Sequence, residues 1–77
     1  MPTIGRLSRA TVRVYADDHP PPHFHLIGPE SDAMIRLGTM EVLRGSADRR
    51  DLAEARSWSA RNPEVLEAAW RRLNERD

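Results

Sequence analysis

Cysteine is missing from all 77 residues. The chain therefore has neither the disulfides that staple small secreted domains nor a thiolate for zinc binding or nucleophilic attack. Any metal ion would have to be held by histidine and carboxylate. Lysine is missing too, since every one of the twelve basic residues is arginine. Most of these are read as codon composition, with forked donors to phosphate or carboxylate as the other explanation. Aromatics are scarce, with two tryptophans, one tyrosine and one phenylalanine, so few large side chains are available to fill a core. No apolar run approaches the roughly 18 residues of a membrane span, and residues 1–16 lack the basic-then-apolar layout of a signal peptide. A soluble, cytoplasmic protein without membrane contact is expected. Twelve acids balance the twelve arginines, which excludes an overall positive field and makes any anion binding local. A glycine-rich phosphate loop is also lacking.

At this length the chain is expected to form a single domain with one thin, two-layer core. A protein partner, or a second copy in a homo-oligomer, would then supply part of its stability. The pattern starts as strand, because Val12, Val14 and Ala16 alternate with Thr11, Arg13 and Tyr15. Asp17-Asp18-His19 and three prolines stop it, since proline cannot donate to a ladder and restricts the residue before it. Further strands are predicted over 23–27, 33–37 and 40–44, with turns at 28–32 and at Gly38-Thr39.

From Ser46 onward the period becomes helical. Ser46 or Asp48 can cap a helix over about 48–61, and Asn62-Pro63 opens a second over 63–75 with the apolar stripe Val65, Leu66, Ala69, Trp70 and Leu73. The expected fold class is α+β: an antiparallel meander of three to four strands (11–16 being the first), followed by two C-terminal helices packed on one face. Trp58 and Trp70 are expected in the core or an interface. Arg49-Arg50 and Arg71-Arg72 read as solvated faces pairing with Glu54, Glu67 and Glu75.

Chemistry-bearing residues gather at His19-Pro20-Pro21-Pro22-His23-Phe24-His25. In a strand, His23 and His25 share a face about 7 Å apart, while Phe24 and Leu26 point to the core. Alternation adds Thr11, Arg13, Tyr15 and Arg36 to the histidine face. The expected roles are proton transfer for His19, His23 and His25, and binding for Arg13, Tyr15 and Arg36, because imidazole titrates near neutral pH and guanidinium meets developing phosphate charge. If the chain is an enzyme, metal-independent, ribonuclease-like phosphodiester chemistry is the expectation, with no cofactor. Two alternatives stay open. The same three histidines would hold a divalent transition metal, completed by Asp17, Asp18 or water, or they are turn residues satisfied by backbone carbonyls. A one-residue slip in register would invert the faces.

The strand ending at Tyr15 and the run from Asp18 to His25, with Met1-Pro2-Thr3-Ile4 before them, resemble a family of uncharacterised small bacterial proteins carrying an HPPPHFH or HNPPHFH signature. That family is catalogued as a domain of unknown function, and the resemblance covers nearly the whole chain. Positions His19, Pro20, Pro21, Pro22, His23, Phe24 and His25 carry over, whereas the poorly apolar Gly5-Arg6-Leu7-Ser8 departs from some relatives. Such proteins are often encoded beside another small protein in pairs that look like toxin and antitoxin modules, and this chain resembles the toxin half. The resemblance implies a toxin-like component that acts on RNA or the translation machinery and is neutralised by a small cognate antitoxin-like protein. A non-catalytic docking module and a metal-binding protein are the competing functions.

Overall fold

The computed structural model describes residues 3–74; Met1-Pro2 and the expected helix end and ion pair at Glu75 lie outside the described residues. Five strands form one antiparallel meander in sequence order: β1 (Thr3–Arg6), β2 (Thr11–Arg13), β3 (His23–Gly28), β4 (Ser31–Arg36) and β5 (Val42–Ser46). Two helices follow, α1 (Arg49–Arg61) and α2 (Pro63–Asn74). The class is α+β, as the patterning implies, with five strands in place of three to four.

The extra strand is β1, which has no alternation to reveal it. Its Gly5 is dictated from a distance, because a Cβ there would approach the Trp58 ring of α1 to 2.7 Å. The second strand ends at Arg13 rather than Ala16. Beyond it the end of α2 captures the chain: Asp17 N–H donates to the Leu73 carbonyl (3.3 Å), and Asn74 Nδ2 donates to the Tyr15 carbonyl (2.9 Å). These bonds satisfy backbone groups that a longer β2 would have given to β3. At the next hairpin Gly28 pairs with Ser31, so the turn contracts to Pro29-Glu30 and β4 starts at Ser31. The last turn is longer than predicted. Gly38 and Met40 both take positive φ, and Arg36 N–H donates to the Glu41 carbonyl, which moves the start of β5 to Val42.

Both helices lie on the sheet face formed by Val12, Phe24, Leu26, Ala33 and Ile35. There Ala55, Leu66, Ala69 and Trp70 close the core. Burial of such apolar surface is the main favourable term in folding. The start of α1 is tied to the sheet by polar contacts: Asp48 N–H donates to Ser31 Oγ (3.0 Å), and Ser31 Oγ donates to the buried Asp51 carboxylate (2.6 Å). Arg9 reaches both acids, at 3.0 Å from Asp48 and 3.7 Å from Asp51.

Asp48 caps α1 by accepting from Arg50 N–H at 2.9 Å. That backbone hydrogen bond, helped by Asp51 N–H and the Arg9 charge, outweighs desolvation and holds its carboxyl below the ordinary value. A lowered folded value means that this stabilisation is complete above the unfolded pKa of 3.8 and is lost as pH falls through the folded value. Asp48→Asn keeps the cap acceptor and removes the titration. Melting temperatures measured between about pH 5 and 2 should therefore fall less steeply for the variant than for the wild type. Parallel curves would mean that the cap does not titrate with folding.

Candidate functional site

The sheet face away from the helices is ordered by register. Arg13 lies opposite His25, His25 opposite Met34, and Met34 opposite Arg44, while His23 lies opposite Arg36. Neighbouring strands stand about 4.8 Å apart, so this row sets guanidinia on either flank of His25. Arg13 donates through Nε to Thr11 Oγ1 at 3.0 Å. Among the described residues, Arg13, Arg36 and Arg44 form no ion pair with a carboxylate, whereas Arg9 and Arg71 do.

Above this face the segment between β2 and β3 doubles back. Asp17 takes positive φ (58°), the Pro20-Pro21 peptide is cis, and Asp18 is held by donating its N–H to Asn74 Oδ1 at 2.6 Å. This places the Asp18 carboxylate over the histidines. Its Oδ2 lies 2.9 Å from His23 Nε2 and 3.0 Å from His25 Nε2. Burial pushes the Asp18 carboxyl up, but the hydrogen bonds to His25 and His23 and the charges on those rings prevail and hold it below its ordinary value.

The two imidazoles are placed differently. His23 is fully buried, with Nδ1 donating to the Pro21 carbonyl at 2.7 Å and its ring 5.1 Å from that of Trp70. A carbonyl only accepts, so Nδ1 carries a hydrogen and the ring orientation is fixed. His25 keeps 19% of its side chain exposed and meets the edge of Tyr15, with ring centroids 4.6 Å apart. It is the member of the pair that solvent reaches.

Of the residues expected to act, His23 and His25 are brought together, Tyr15 and Arg13 border His25, and Arg36 borders His23. His19 stands apart. Its side chain is 82% exposed, and its Nδ1 lies 3.4 Å from Asp18 Oδ1, the carboxylate oxygen turned away from the other two rings. Among the described residues the group at metal-ligand spacing is accordingly Asp18, His23 and His25, with donor atoms all within 4.8 Å of one another. The chain reverses between Asp18 and His23, so neither sequence adjacency nor strand period reveals that Asp18, rather than His19, completes the cluster. Arg44 was missed, because the register shift where β5 pairs with β4, between Met34 and Ile35, sets it opposite Met34.

Among the described residues no helix is long and apolar enough to cross a membrane. Comparison with curated proteins and with solved structures finds no match for the chain. Residues 10–71, from the start of β2 into α2 and including the whole histidine segment, match the family described as a domain of unknown function (DUF4160), and the chain belongs to that family.

Proposed function

We propose that the protein is the toxin-like member of a bacterial two-protein module and that it acts on RNA phosphodiesters at the face around Asp18, His23 and His25. One observation carries this reading: a solvent-reachable imidazole–carboxylate cluster sits on a sheet face with three arginines that have no carboxylate partner among the described residues. Guanidinia without a carboxylate partner keep donors for phosphate oxygens, and their fork geometry suits that role. Proton movement at the scissile oxygen falls to the Asp18–His23–His25 corner, where His25 is the reachable ring, while charge developing on the phosphate faces Arg13 and Arg44. The net charge of zero fits a local anion site better than long-range steering. A small cognate partner would neutralise the protein by covering this face.

The test is growth of bacteria expressing the chain with and without the small protein encoded beside it. Wild type is expected to arrest growth, the partner to relieve it, and His25→Ala, which removes a partly exposed side chain, to abolish it while the far-ultraviolet circular dichroism stays unchanged. Growth unaffected by wild-type expression would sink the reading. A docking module is favoured by a different feature, the apolar groove between sheet end and helices lined by Leu37, Met40, Ala60, Pro63 and Leu66. Growth arrest that survives in folded His25→Ala would move the activity there.

A further inference from the structure

We infer that Asp18, His23 and His25 form a binding site for one divalent first-row transition metal ion, of the zinc, cobalt or manganese class. The inference rests on the directions of lone pairs. His23 Nδ1 donates its hydrogen to the Pro21 carbonyl, so the lone pair of the neutral ring is on Nε2. That atom faces Asp18 Oδ2 at 2.9 Å, and an ionised carboxylate oxygen only accepts. Two lone pairs at that distance need positive charge between them. A proton on His23 Nε2 satisfies that contact, and His25 can donate its own Nε2 hydrogen to the same oxygen; a metal ion instead satisfies Oδ2 and both Nε2 atoms together, with the three donors within 4.8 Å of one another.

The spacing from the carboxylate fits. Ligand atoms about 2.1 Å from one ion and separated by about 90–109° stand about 3.0–3.4 Å from each other. Asp18 Oδ2 lies 2.9 and 3.0 Å from the two Nε2 atoms, and the three donors lie within 4.8 Å of one another, so seating the ion requires the two imidazoles to turn toward each other around the carboxylate. The outer contacts are those of a metal-ligating histidine, in which the second ring nitrogen donates to a backbone carbonyl and so fixes tautomer and orientation. Trp70 packs near the His23 ring, Tyr15 against His25, and Asn74 accepts from the Asp18 backbone N–H. Asp18 and the His23 ring are therefore held before any ion arrives, and less ordering entropy opposes binding.

The donor set also selects the class of ion. Two imidazoles disfavour magnesium and calcium, which take oxygen ligands, and the absence of cysteine disfavours copper(I). Three protein donors with His25 and Asp18 partly exposed (19% and 16%) leave coordination positions open to water, the arrangement of catalytic rather than structural sites. On the face proposed above for phosphodiester chemistry, an ion here would replace proton transfer by these three side chains: it would lower the pKa of its bound water and supply the nucleophile beside Arg13 and Arg44. The ion's place depends on that reading only for its use, so binding is measured apart from growth.

The experiment is calorimetric titration of zinc into the full chain, purified in chelator and then freed of it, at pH 7. Cobalt is then titrated with absorption and tryptophan fluorescence as readouts in a Trp58→Phe background, so that Trp70 alone reports. One zinc per chain is expected, together with quenching of Trp70 by cobalt. His25→Ala and Asp18→Ala should each weaken zinc binding by at least about 10-fold, while His19→Ala should leave it within about twofold. Asp18→Asn serves as the second variant if Asp18→Ala fails to fold. Absence of saturable 1:1 binding would overturn the site, as would a loss in His19→Ala equal to that in His25→Ala. Zinc binding by a chain that leaves growth unaffected keeps the site and removes the toxin reading; growth arrest by a chain that binds no metal does the reverse.

Discussion

Phe24→Ala is expected to remove about a quarter or more of the protein's folding free energy and, at the lower end of its stability range, to leave it unfolded at 25 °C. Phe24 is the only phenylalanine. It is fully buried in the middle strand, directly opposite Ile35, on the face that α1 and α2 cover. Truncating such a residue forfeits its transfer free energy and leaves a cavity, which together cost about 3–5 kcal/mol. Single domains have about 0.05–0.15 kcal/mol per residue, or roughly 4–12 kcal/mol for this length. Few other aromatics and no disulfide are present to offset the loss. Urea unfolding followed by circular dichroism should show a much lower midpoint at an unchanged slope, since the surface exposed on unfolding hardly changes. A loss under about 1 kcal/mol would mean that Phe24 does not sit at the centre of the core.

The elements that could be read from sequence are those specified by their own residues. Phe24 and Leu26 on one side of β3 and His23 and His25 on the other follow from period two, and the register bears out that separation. The helix starts were legible because Asp48 accepts from Arg50 N–H and Pro63 follows Asn62, both local effects. What could not be read was decided at long range. The Thr3–Arg6 strand exists because β2 pairs with it and Trp58 requires a glycine there. Val14 stays fully buried although its strand has ended, because α2 rather than β3 takes the hydrogen bonds of residues 15–18. The same capture turned Asp18 back over the histidines and left its neighbour His19 in solvent. Sequence adjacency favoured His19 as the third member; the chain reversal substituted Asp18.

Trp70→Ala is expected to damage the core and the histidine site together. Trp70 is 4% exposed in α2, and its ring lies 5.1 Å from that of His23, so it belongs to both. The cost of truncation is again about 3–5 kcal/mol. It falls on the helix whose last turn sets the site: Leu73 receives the Asp17 N–H, and Asn74 bonds both the Asp18 N–H and the Tyr15 carbonyl. Loosening α2 should therefore free Asp18 from its position over the two Nε2 atoms, in addition to removing a wall from His23. In the folded fraction of the variant, the imidazole resonances of both histidines should move toward those of exposed rings, although His25 does not touch Trp70 in any ring contact. Asn74→Ala separates the two effects. It removes two hydrogen bonds at a cost of about 1 kcal/mol each while leaving the Trp70 ring in place, and it should shift the same resonances with a much smaller loss of stability. If the resonances stay fixed in Asn74→Ala, the proline-rich segment holds Asp18 without the help of α2. Coupling between core and site would then run through the Trp70 ring alone.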